Sequence, residues 1–306
     1  MTQVNTRANH AAAVQRMTSL SANIDNLQAQ IATTKRVNTP ADDPVAFTRA
    51  AVLRRADIAA QTTQRGIDSA TRRLTATDTA LESITNLVQR ARELALQGSN
   101  ATLAPEDRGI LATEVSEILN QFKGLADARG SDGERLFGGA MADRPAYALD
   151  SNNIMIWQGA GQAPALEVGG ALVATGIEGP DAFGTNDPLT GAQDLFASFQ
   201  ALTAALTEPD PTLRQPALES TLTQLDSHIT RLANSRATAG ARLARLETEG
   251  LRLDKTGLAA KSDLSKLEDL DMASAIARMQ RLITVLQAAQ GSFVKTSNLS
   301  LWDLLR

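Results

Sequence analysis

Cysteine is absent from this 306-residue chain, which excludes disulfides, thiolate catalysis and zinc sites built on sulfur. Aromatic residues make up 3%, too few for the core of a compact enzyme but enough for long helices packed through Leu, Ile and Ala. No apolar run reaches the roughly 18 residues that a membrane-spanning helix needs, so no membrane insertion is expected. Charge of one sign is not in excess either: 30 Lys and Arg are interspersed with 34 Asp and Glu, and the balance of -4 leaves no nucleic-acid footprint. A secretory signal needs an uninterrupted apolar core, and Gln3, Asn5, Arg7, Asn9 and His10 interrupt any such core before Met17. Export, where it occurs, is therefore expected without a cleaved signal of that kind.

Groupings that carry chemistry are scarce as well. The two histidines, His10 and His228, have no local catalytic partner, and both are expected at the surface. Asp42 with Asp43 and Asp269 with Asp271 come without a loop of regularly spaced oxygen donors, so helix capping and ordinary surface charge account for them better than a metal site. No Gly-Lys-Ser/Thr follows Gly130, Gly133, Gly138 and Gly139, which read as turns and helix exits rather than a phosphate loop. The Arg-rich stretch from 54 to 73 alternates with acids and polar groups and reads as a solvated helix face. Since no nucleophile, base and orienting group stand at a plausible spacing, neither an enzymatic activity nor a cofactor is expected.

What the sequence does carry is helical periodicity. Met272, Ile276, Met279, Ile283, Leu286 and Phe293, with Gln290 in the gap, alternate steps of four and three, the pattern of a coiled-coil seam. Met17, Leu20, Ile24, Leu27 and Ile31 repeat it near the other end, so each terminal segment offers a narrow apolar stripe that the other can cover. Between them, Pro40 breaks the first helix, and Pro44 with Asp43 before it opens a second, reaching roughly Gln97 before the Gly98 exit. Ile67, Leu74, Leu81 and Val88 recur every seven residues in it, with Ala70, Ile84 and Ala91 between. Pro105 opens a third helix, with a face of Ile118, Phe122 and Leu125, which Gly130 to Gly133 closes.

From about Gly138 to Asp194 glycine and proline become frequent, and the period falls to two in Asn153 to Trp157. Leu166 to Val168, Gly169-Gly170 and Ala171 to Val173 read as a hairpin, because Gly-Gly can take the positive φ of a tight turn. Helix returns at Leu195, is interrupted from Pro209 to Pro216, and then holds the four-three spacing through Leu218, Leu222, Leu225, Ile229, Leu232, Arg236, Ala239, Leu243, Leu246, Gly250 and Leu253. The second helix is its expected partner.

Three separated segments, in order, resemble the flagellins and flagellin-like hook-associated proteins: Lys35 to Pro44, with its basic pair and Asp42-Asp43-Pro44; Arg236 to Leu246; and Leu267 to Ala273. Thr34 stands where that family usually has glycine, which would put the break after the first helix later. Asp132 to Gly139 and the ending Leu299 to Leu304 resemble the hook-filament junction branch more than the filament-forming flagellins.

The resulting expectation is a mainly α fold, a long antiparallel helical bundle or coiled coil formed by the N- and C-terminal parts, with a small β-rich insertion domain. Residues 1–36 plus 268–306 would form the terminal assembly domain, 37–138 plus 195–267 a helical rod, and 139–194 an outer insertion. The resemblance implies a non-enzymatic structural subunit between hook and filament. A short or minor flagellin that forms the filament itself is the alternative. It further implies export through the flagellar type III apparatus with a chaperone, and an extracellular place in the flagellum. Partners would be other hook-associated subunits, flagellin and further copies of the chain. The assembly interface would comprise Met17, Leu20, Ile24, Leu27, Ile31, Met272, Ile276, Met279, Ile283, Leu286, Phe293 and Trp302. The terminal stripes are expected to be largely disordered in the free monomer and to fold on assembly.

Overall fold

A computed structural model of the protein describes residues 6–141, 144–149, 154–186 and 193–303. Helices dominate: α1 (Thr6–Thr33), α2 (Pro44–Gly98), α3 (Pro105–Ala126), α4 (Gly179–Phe183), α5 (Leu195–Thr207), α6 (Pro211–Glu268) and α7 (Met272–Asp303), with four short strands, β1 (Tyr147–Leu149), β2 (Met155–Trp157), β3 (Ala165–Val168) and β4 (Ala171–Ala174). The fold is mainly α with a small β-rich insertion. The chain divides into two compact units, residues 1–60 with 255–306, and residues 61–254.

In the 61–254 unit, Leu74, Leu81, Ile84, Val88 and Ala91 of α2 are fully buried. Leu218, Leu225, Leu232, Ala239 and Leu246 form the deepest line of α6. Arg92 Nε meets Asp226 Oδ1 at 2.5 Å and Arg236 Nε meets Asp78 Oδ1 at 2.9 Å. Residue numbers therefore rise along one helix as they fall along the other, and the pair is antiparallel. Arg236 occupies a position of the apolar repeat but stays about one-third exposed, and its guanidinium ties α6 to Asp78 of α2 at the rim of the seam. Pro211 starts α6 earlier than the proline-rich interruption predicts. Asp210 Oδ1 accepts from Thr212 N at 2.8 Å, and Pro216 sits inside the helix, where its missing N–H forfeits one backbone bond.

The sparse aromatic residues are concentrated rather than scattered. Phe122 of α3 packs against Phe183, Phe196 and Phe199 at centroid distances of 5.2, 4.4 and 5.6 Å, and Phe137 meets Phe183 at 4.8 Å. Strands β1 and β2 pair antiparallel, as do β3 and β4. The second pair is the hairpin the sequence predicts, with Val168 opposite Ala171 and with φ of 60° and 77° at Gly169 and Gly170, values that cost a side-chain-bearing residue roughly 1–2 kcal/mol. The alternation predicted to start at Asn153 begins outside the described residues, and the strand runs over Met155–Trp157.

Two expectations are corrected in this unit. His228 is not on the surface: it is 4% exposed, with Nε2 3.0 Å from Ser198 Oγ. A stripe of leucines reports one edge of a helix, but α6 buries a wider arc, on which Thr221, His228 and Ser235 recur every seven residues beside the leucines. Arg73, read as part of a solvated face, is 6% exposed and reaches Glu134 Oε2 at 2.5 Å and Arg135 O at 3.0 Å.

Candidate assembly interface

In the unit formed by 1–60 and 255–306, α1 and α7 lie side by side. Leu270 N donates to Thr34 O at 3.0 Å, and Lys35 and Asp269 form an antiparallel bridge. At the far end the rings of His10 and Phe293 stand 4.4 Å apart. The two helices therefore run antiparallel, the end of α1 meeting the start of α7 beside the segment that joins α1 to α2. The terminal stripes face each other only in part. Ile24 and Leu27 are buried, Met17, Leu20, Ile31, Met279, Ile283, Leu286 and Phe293 are half-buried, and Met272 and Ile276 remain exposed. Ala275 is the buried residue at the start of α7. The side chain of Trp302 lies outside the described residues.

Glu268 organises the joint. The residue is 2% exposed, and its carboxylate receives Lys35 Nζ at 2.9 Å and an Arg54 guanidinium nitrogen on its other oxygen. Its carbonyl accepts from Arg36 N at 2.6 Å, while Arg36 reaches back to Leu267 O at 3.0 Å. Three chain segments, the end of α1, the start of α2 and the end of α6, are thereby tied to one acid. Burial pushes the Glu268 carboxyl pKa up, but the hydrogen bonds and charges of Arg54 and Lys35 outweigh it, and the pKa lies below its ordinary value. Arg54 belonged to the stretch read as solvated; its side chain stays 40% exposed while its guanidinium pairs with Glu268.

The turn after α1 is built from local rules. Thr34 adopts φ 58°, so the break comes directly after Thr33 and not later, with threonine held in the left-handed region that glycine favours. Asp42 Oδ2 accepts from the backbone N–H groups of Asn38 and Thr39 at 3.0 and 2.8 Å. Asp43 Oδ1 accepts from Ala46 N at 2.9 Å and Asp271 Oδ1 from Ser274 N at 3.2 Å, so these two acids cap α2 and α7. Backbone donors are the leading cause that lowers the Asp42 and Asp43 pKa values, and Ser274, side chain and backbone, lowers that of Asp271. Capping occupies Asp43 and Asp271, Asp42 holds the turn before α2, and Asp269 accepts from the Ser265 hydroxyl. Sequence reasoning missed Glu268 as the hub because its partners are remote: 214 residues separate it from Arg54.

Comparison with known proteins agrees with this geometry. The family model for the bacterial flagellin N-terminal helical region matches residues 4–142, and that for the C-terminal helical region matches residues 222–305. The chain is 28% identical over 296 residues to flagellar hook-associated protein 3 of Salmonella typhimurium, covering 92% of each chain. It is 27% identical over 265 residues to a flagellin of Listeria monocytogenes, covering 83% of this chain and 81% of that one. Among solved structures, a flagellar hook-associated protein from Vibrio parahaemolyticus superposes with a TM-score of 0.67 at 20% identity, covering 74% of this chain and 100% of the other.

Proposed function

Because the chain belongs to the bacterial flagellin family, we propose that it is a structural subunit of the flagellum that forms the junction between hook and filament. The observation that carries this reading is the end-to-end match to a hook-associated protein, over 92% of both chains, where the match to a flagellin is shorter. The subunit performs no catalysis. It is exported to the growing tip of the flagellum with the help of a chaperone and stays outside the cell, between hook-associated neighbours and flagellin.

The α1–α7 pair is the assembly domain, residues 1–36 with 268–306, completed by neighbouring copies. Two features support this. Among the described residues of the two helices, those that reach full burial are Ile24, Leu27 and Ala275. So little burial leaves a helix pair near the low end of local stability. Met272, Ile276, Val285 and Val294 are left on its outside, apolar surface that a neighbour can cover. Residues 37–138 with 195–267 form the rod, and 139–194 the outer insertion.

Deleting the gene tests the function: hooks should remain while filaments are shed into the medium, and normal filaments on normal hooks would refute it. The flagellin alternative predicts abundant filaments from the purified protein alone, visible by electron microscopy. Amide exchange tests the terminal pair, which should be weakly protected over 17–31 and 272–293 in the free monomer and strongly protected in the assembly.

A further inference from the structure

The imidazole of His228 is a buried titratable group that the assembly reading does not use. It sits on α6 between Leu225 and Leu232, is 4% exposed, and lies beside Gly184 at the end of α4 and Ser198 in the first turn of α5. Ser198 Oγ stands 2.9 Å from Asp194 O, 3.2 Å from Gln224 Oε1 and 3.0 Å from His228 Nε2, so this hydroxyl links the imidazole to the first turn of α5. Nδ1 is buried with no hydrogen-bond partner among the described residues. The neutral ring therefore fits, and a second proton would bring a charge into a buried place where the Gln193 backbone offsets only part of the burial.

The charged groups facing that place come from every element around it. Arg231, one turn on along α6, is the nearby cation, and the Cβ position of Gly184 lies 3.4 Å from His228 Cε1 and 3.7 Å from Arg231 Nε. Asp194, the N-cap of α5, accepts from Ala197 N at 2.8 Å and from Asn186 Nδ2 at 3.0 Å. Tyr147 of β1 has a buried hydroxyl without a partner among the described residues, and it feels the charge of Asp194. Glu178 and Asp181 on α4 line a groove of about 600 Å³ with Arg231 and Arg242, and Arg242 donates to Gly176 O.

We propose that His228 is an acid-operated catch: its protonation beside Arg231 releases α4 and the first turn of α5 from α6 while the α2–α6 pair stays folded. Burial, and then Arg231, push the His228 pKa down to about 4, against which the Gln193 backbone works. Acidification also weakens the available counter-charge, because burial raises the pKa of both Asp181 and Asp194. An opened segment lets the imidazole titrate near its ordinary value of 6.5. The contribution of neutral His228 is thus complete above that value and is lost as pH falls toward 4. Linkage between those two values gives a loss of protection of about thirtyfold between pH 7.5 and pH 5.

Amide exchange on the full chain, corrected for the pH dependence of intrinsic exchange, reads this out. Protection at the Ala182, Gly184, Ala197 and Ser198 amides should fall about thirtyfold between pH 7.5 and 5, while amides around Leu81 and Leu225 hold. In His228→Gln, which cannot charge, the step at these four amides should vanish. Arg231→Gln should shrink the step while leaving the four amides wild-type-like at pH 7.5, which keeps the idea testable should His228→Gln fold poorly. A wild-type chain without the step, a step of equal size in His228→Gln, or an undiminished step in Arg231→Gln would overturn the proposal.

Discussion

Replacing Glu268 by alanine should loosen the start of the α1–α7 pair without unfolding the rest of the protein. Removing one member of a fully buried ion pair costs roughly 3–5 kcal/mol, and an exposed pair contributes about 0.2–1 kcal/mol. Glu268 is 3% exposed in its side chain, whereas Lys35 and Arg54 are 42% and 40% exposed. Water can therefore take over much of what the two cations lose, and we place the cost near 2 kcal/mol, about thirtyfold in a local opening constant. The amides of Arg36 and Leu270, which donate across the joint to Glu268 O and Thr34 O, report that opening directly. Their protection should drop about thirtyfold in Glu268→Ala at pH 7, and by a smaller factor in Glu268→Gln, which keeps an acceptor oxygen. The pH dependence has a definite sign. The folded-state pKa lies below the ordinary value of 4.5, so the carboxylate contributes fully above that value and the contribution disappears as pH falls through the folded pKa. Wild type and Glu268→Ala should accordingly converge in strong acid. Equal protection of the two proteins at pH 7, or a gap that persists unchanged at low pH, would refute the reasoning.

Other substitutions probe the remaining elements. Thr34→Gly should stabilise the joint by about 0.5–1 kcal/mol, because relief of a β-branched residue at φ 58° exceeds the entropy cost of glycine; urea denaturation followed at the terminal unit would show a higher midpoint. Leu225→Ala, at 0% exposure, should cost about 3 kcal/mol, and Leu258→Ala, at 73% exposure, under about 0.5 kcal/mol, as measured by chemical denaturation. At the hairpin, Gly170→Asn should cost under about 1 kcal/mol and Gly170→Val about 2 kcal/mol, since φ is 77° there and no atom crowds the Cβ position; thermal melting separates the two.

Several elements are legible from sequence for a local reason. The caps at Asp43 and Asp271 need only a carboxylate two or three residues before the first free N–H groups. The Gly169-Gly170 turn needs only two residues that tolerate positive φ. The seven-residue repeat from Ile67 to Val88 marks a buried edge because a helix with one covered face shows its period directly. The joint was readable as a break, through Pro40 and Pro44, but its hub was not. A carboxylate whose partners stand 214 and 233 residues away in the chain leaves no pattern in any window of the sequence.

The sequence by itself determined that this is a helical chain, that its two ends carry matching apolar stripes, and that a short β-rich stretch splits the helical material. These are consequences of periodicity, turn chemistry and composition, each complete within a few tens of residues. Only the tertiary structure decided which arc of α6 is buried, and with it the fate of His228, because a helix packed on two sides hides more than the stripe that its leucines mark. It likewise decided that Phe122, Phe137, Phe183, Phe196 and Phe199 meet in one core, and that Glu268 draws Lys35 and Arg54 onto itself. A buried charge is tolerable only where opposite charges converge on it, and that convergence is a property of the folded chain.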